Sequence, residues 1–447
     1  MSESKFTEFR EMLRDFLGQA QLVDDIDPWG DTDYYQIVSR SYTDGDETKY
    51  LAVPIPTWKK FYKNSYELFD GEIGYSTLRF SIAYEISQEK EYPFSEDVLD
   101  QLLARISDHI RFHYETVLEA LVPLSNISMS VDKELLLGAA HLCPGGPNSA
   151  LHKQINRPDA WDNIQELADN CYLRTTTTGD NSSRIRQVEQ KTRDALAILR
   201  FVVDVPRGPE PEGKNSNPAE MVDVWGENKR TVFYILDSAP DENSAFNIGV
   251  GSAFAIWDKK LQDLQESSGL DHINFHFNRP ESLISSRIIQ AIQIYDSAIR
   301  SGQDWMALYR YVVCTECAIP VTAQKHDEFA RRVEQTIYYG GHFRGGDKLP
   351  RFDGESNLEY WKRFVSHTLQ GVEEFYKDRN RILHGSMANA PSVQITPEKL
   401  RKIRVIAYNV IRTVARLAIE FDWYSLPDGK KWYQNPIPSP TFFGDAE

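Results

Sequence analysis

The chain has 447 residues, 41% of them hydrophobic and 26% charged, the composition of a globular protein with core enough for two or three domains. Its 66 acidic residues outnumber 50 basic ones, giving a net charge of −16, which taken whole argues against a nucleic-acid binder. No apolar run reaches the roughly 18 residues of a membrane helix, and four cysteines are too few for a disulfide framework.

The opening, MSESKFTEF, lacks the basic cap and apolar stretch of a signal peptide, so the expected location is cytoplasmic, with no membrane contact. Residues 5–19 place Phe6, Phe9, Met12, Leu13, Phe16 and Leu17 at helical spacing. The acidic stretch 24–33 lacks the spacing of a calcium loop and reads as a solvated loop. Residues 35–41 and 49–55 flank a turn at Gly45 and predict a hairpin. Residues 76–86 partly alternate and predict a strand, as do the aromatic and β-branched residues of 109–129. Between them, 95–108 reads as a helix capped by Ser95, with Asp97 in its first turn.

Residues 175–184 (TTTTGDNSSR) read as a polar loop and 206–218 (PRGPEPEGKNSNP) as an exposed linker. A helix is expected over 185–201, and strands over 232–236 and 273–277. Residues 1–280 thus predict an α+β region, with room for two subdomains divided near those loops. From 281 the texture is helical, in segments 281–300, 304–319, 326–340, 357–385 and 397–424. The Gly-rich stretch 340–356 reads as a mobile loop, and residues 426–447 as an extended Pro-rich tail. Charge divides with the texture. Residues 281–425 carry a net +3 and the remainder a net −19.

The segment 357–385 carries the chemistry. Near its end stand Arg379, Asn380, His384 and Gly385. Gly385 suits a helix C′ position, and the unpaired carbonyls of a last turn favour a protonated His384. Asn380 and His384 are i and i+4, on one face, with Arg379 within reach. A cation, an amide and a titratable imidazole are what metal-free RNA cleavage needs: proton transfer at the 2′-hydroxyl and the leaving oxygen, and a clamp on the phosphate.

The run R-N-x-x-x-H, ending a long helix within about 145 helical residues, resembles the HEPN superfamily, most of all its ApeA-type members in prokaryotic defence. The resemblance implies an all-α bundle over 281–425 and a metal-independent endoribonuclease that needs no cofactor and no metal. It also implies Arg379, Asn380 and His384 as the catalytic set, and an active cleft shared by a homodimer. A role in abortive anti-phage defence follows from it, with residues 1–280 sensing a phage-derived or protein trigger. HEPN toxins paired with nucleotidyltransferase antitoxins carry a Tyr two residues after the His; here that residue is Ser386.

Arg381, Lys402, Arg404, His342 and Arg344 are candidate RNA contacts. For Lys402, Arg404, Arg412 and Arg416 on the last helix, dimer-rim pairing or a solvated face serves as well. Cys314-x-x-Cys317 lies in an apolar helical run and reads as buried thiols, as do Cys143 and Cys171. Gly249-Val-Gly251 matches no phosphate-binding loop. His272 and His276 read as a half-buried, satisfied pair. Two alternatives stay open: an inactive HEPN-like dimerisation or binding module, and a nuclease subunit of a larger defence complex.

Overall fold

Apolar spacing decides most of the local structure. The computed structural model describes residues 2–24, 35–44, 47–89, 92–125, 127–129, 133–155, 171–204, 223–224, 234–236, 255–256, 269–319, 326–341, 343, 349–383 and 395–423. These divide into two compact units. One is drawn from Met1–Ala120, Thr176–Gln190 and Ile235–Glu242, the other from Leu121–Thr175, Lys191–Tyr234 and Asn243–Glu447. The described residues are mostly helical, with small sheets in the earlier part of the chain. Among the described residues, every regular element from Leu270 onward is a helix.

In the first unit α1 (Ser2–Leu17) is followed by β1 (Gln21–Asp24), β2 (Tyr35–Asp44) and β3 (Glu47–Pro54). The strands form an antiparallel sheet in the order β1-β3-β2, with Gln21 opposite Ala52 and Tyr35 opposite Pro54. Then come α2 (Ile55–Leu68), α3 (Tyr75–Ser87) and α4 (Glu96–Glu115). Phe6, Phe9, Leu13 and Phe16 of α1 meet Trp58 and Phe61 of α2 in an aromatic core. The Phe16 and Phe61 rings stack there at 4.4 Å. Ser95 caps α4 by accepting from the Val98 amide, as its position before an apolar-periodic run predicts.

Several expected elements are corrected. Residues 76–86 are helical, because Leu78, Ile82 and Ile86 recur every four residues and all three are fully buried. The expected strand at 109–129 is helix to Glu115, and β4 (Leu118–Ser125) begins only after it. Within the expected polar loop, residues to Thr177 belong to β8 (Tyr172–Thr177), and α6 (Asn181–Val203) follows at once. Asp180, itself buried, accepts from the Ser183 amide as a helix cap, and Thr175 and Thr177 suit a strand because they are β-branched. Residues 273–277 are helical too, as part of α7 (Leu270–Phe277).

In the second unit, β6 (Leu135–Leu137), β7 (Ala140–Cys143) and β8 follow β4 across one sheet in the order β4-β8-β7-β6. Short β5 (Ser128–Met129), β9 (Asp223–Val224) and β11 (Ala255–Ile256) and the short helix α5 (Ala150–Ile155) accompany it, while β10 (Tyr234–Leu236) runs into the first unit's Ile235–Glu242 segment. The helical part is α8 (Leu283–Ile299), α9 (Asp304–Ala318), α10 (His326–Gly340), α11 (Asn357–Thr368), α12 (Val372–Leu383) and α13 (Pro397–Glu420). Helix α13 is buried on almost every side, from Ile403 through Ala418, and it packs on α8, α9 and α10. One further correction lies here. The expected single helix 357–385 is broken by Gly371 at φ +79°, a left-handed conformation that glycine adopts without a Cβ penalty.

Among the described residues no helix is long and apolar enough to cross a membrane. The expected linker 206–218 and tail 426–447 lie outside the described residues, as do most of the acidic loop 24–33 and part of the Gly-rich stretch 340–356.

Candidate functional site

Helix α12 positions the described part of the motif. Val372, Phe375, Tyr376 and Ile382 are buried and give the helix its inner face, with Glu373 and Glu374 in the first turn and Arg381 in the last, the charge order a helix dipole favours. Tyr376 is fully buried and packs on Phe329 of α10, ring centroids 5.1 Å apart.

One turn on, the Arg379 guanidinium lies over the Tyr376 ring, 5.2 Å from its centroid. Its Nη2 is 2.9 Å from Glu316 Oε2 on α9, and its Nη1 donates to Asn380 Oδ1 at 2.7 Å. The pair is largely covered, with 14% and 17% of the Arg379 and Glu316 side chains exposed. Burial pushes the Glu316 carboxyl above its ordinary range, and the Arg379 charge opposes that rise. Of the five N–H donors of a guanidinium, Glu316 and Asn380 occupy two, and Nε is buried without a hydrogen-bond partner. Among the described residues, one N–H on each Nη nitrogen is left without a partner, and the Asn380 amide nitrogen is a further donor on the neighbouring residue.

Glu316 and Tyr376 were not among the expected site residues. Glu316 carried a signal in the sequence: a lone carboxylate within YVVCTECAI, a helical apolar run, needs a cationic partner. The two flanking cysteines drew the attention instead. Cys143, Cys171 and Cys314 are buried and Cys317 partly so, none in a disulfide, and burial pushes the Cys143 and Cys171 thiols up to about 12.

The other candidates fall in different places. Arg381 pairs at 2.9 Å with the buried Asp378, which Lys399 also holds. Lys402 donates to the Gln370 carbonyl at 2.7 Å, and burial lowers its pKa. Arg404 is engaged with Asp204 through Nε and Nη2. Arg416 donates to the Gly340 carbonyl at 2.6 Å. His384, His342 and Arg344 lie outside the described residues. The structure thus brings Arg379 and Asn380 together, and sets Arg381, Lys402 and Arg404 on partners of their own.

His276 is fully buried on α7, with Nδ1 2.9 Å from Ser285 Oγ and Nε2 2.9 Å from the Ala415 carbonyl. Burial lowers its pKa to about 4, so it is a neutral structural imidazole. No group of three or more His, Cys, Asp and Glu side chains able to hold a metal occurs among the described residues. Compared with known proteins, the chain matches no protein-family model, no curated protein and no solved structure.

Proposed function

We propose that the helical part of the second unit is a HEPN-like endoribonuclease, working as a homodimer and cutting RNA without a metal. The observation that carries this reading is the Arg379 guanidinium, oriented by Glu316 and Asn380 with donors to spare, in the motif that continues to His384. Arg379 would hold a non-bridging phosphate oxygen, and Asn380 would orient the phosphate through its amide nitrogen. His384 would move protons. The 2′-hydroxyl loses its proton and its oxygen attacks phosphorus. The bond to the 5′-oxygen breaks, and that oxygen takes a proton. A 2′,3′-cyclic phosphate and a 5′-hydroxyl result. The resemblance extends the proposal to a cytoplasmic effector of anti-phage defence, restrained by the rest of the chain until triggered.

Incubation of the full chain with total RNA and tRNA in EDTA, alone and with lysate from phage-infected cells to supply a trigger, beside Arg379→Ala and His384→Ala, tests it. Cleavage by the wild type alone, with cyclic phosphate ends, is the expected result. Equal cleavage by all three would refute the assignment. A second reading, a binding module in which Arg379–Glu316 is only a structural pair, is favoured by how fully that pair is covered. It predicts silence toward RNA even in lysate from phage-infected cells.

A further inference from the structure

We propose that the cavity bounded by α8, α9 and α13 in the second unit binds a phosphate-bearing small molecule of mononucleotide size. The cavity measures about 340 Å³, within the usual range for small-molecule sites. Arg404 lines it. Its guanidinium is held by Asp204, a buried carboxylate that also accepts from the Tyr295 hydroxyl at 2.7 Å. A fork held through Nε and Nη2 leaves both Nη1 hydrogens on the opposite edge, and Nη1 makes no hydrogen bond among the described residues. This is a preorganised donor with its orientation already set.

Arg401, three residues earlier on α13, adds a second guanidinium to the lining, and two such groups suit an oxyanion with several acceptor oxygens. Asp304, exposed at the start of α9, supplies an acceptor. Inorganic phosphate would meet Asp304 as a like charge, whereas a nucleotide can place a ribose hydroxyl or a base amino group there. Ile299 and Leu400 provide apolar wall for a base. Helix α9 carries both Tyr311 of this lining and Glu316, so occupancy is placed to bias the Glu316–Arg379 pair. That consequence rests on the nuclease reading; the binding does not.

Calorimetric titration of the full chain with 5′-AMP, 5′-GMP, 5′-CMP and 5′-UMP, and with inorganic phosphate, is the test. At least one nucleotide is expected to bind once per chain with a Kd below about 100 µM, and phosphate at least about tenfold more weakly. Ser301→Trp, which adds bulk to the lining, and Arg401→Ala, which leaves the Arg404–Asp204 pair intact, should each weaken the nucleotide by about tenfold or more. Asp304→Asn should narrow the gap between nucleotide and phosphate. No saturable binding at 1 mM of any probe, phosphate binding as tightly as the nucleotides, or binding indifferent to both Ser301→Trp and Arg401→Ala would overturn the proposal. Because the readout is binding, a failure here leaves the nuclease reading standing, and an absence of RNA cleavage leaves this site standing.

Discussion

The two units differ in where their best-formed ion pairs lie. In the first, the ion pairs of α1 sit on the surface, Arg14 being 43% exposed at the side chain and its partner Glu96 83% exposed; aromatic rings fill the interior, and Asp180 and Arg184 are buried charges there. In the second, charges lie inside: Arg200 and Asp296 pair at 2.9 Å with 3% of each side chain exposed, and Asp204 holds both Tyr295 and Arg404. Exposed pairs are screened and add little to stability. Buried ones contribute little net energy when intact, yet a great deal is lost when one partner goes, because the other is left as an unpaired charge. In the second unit Arg200, Asp296, Asp204 and Arg404 are therefore held in fixed positions by their partners.

The sharpest way to break this comparison is Asp296→Ala, which removes the buried carboxylate that pairs with Arg200 and should cost about 3–5 kcal/mol in urea unfolding. A loss below about 1 kcal/mol would mean the buried network is dispensable.

Next in size is a pH effect from His276. Its folded pKa of about 4 lies below the ordinary value of 6.5, so the unfolded chain binds the proton first. Its contribution is present above pH 6.5 and is lost as pH falls toward 4, to a total of about 3 kcal/mol. The difference in pH dependence between wild type and His276→Gln isolates that share. Identical profiles would count against a buried neutral imidazole.

A smaller effect belongs to the helix break. Gly371→Ala places a Cβ at positive φ and should cost about 1 kcal/mol; a stabilising effect would mean that α11 and α12 are one helix. Smallest is Arg14→Ala in the first unit, expected to leave stability nearly unchanged, and still less affected in high salt.

Much of this was legible in the sequence where the signal is local. The helical texture from Leu283 onward follows from apolar residues at three- and four-residue steps, and the Ser95 cap from one residue before such a run. Local pattern failed where it was ambiguous. Residues 76–86 alternate in part, but the four-residue recurrence of Leu78, Ile82 and Ile86 decides for helix once a core forms against it. Asp180 was hidden in a polar stretch because its cap depends on where α6 begins. At the candidate site, Arg379 and Asn380 are visible as neighbours in a motif, whereas the Glu316 contact is tertiary. Its one trace in the sequence is a lone carboxylate in an apolar helical run, which needs a cationic partner.

The central claim is that Arg379 is held by Glu316 for chemistry and not for folding. The double variant Glu316→Gln, Arg379→Gln removes both charges together and leaves two amides able to pair, which should keep the protein folded. Its single-turnover RNA cleavage in EDTA is the most direct test. We expect the wild type to cleave and the double variant to be slower by at least about 100-fold. A wild type that stays silent even in lysate from phage-infected cells, or a folded double variant that cleaves as fast as the wild type, would contradict the account.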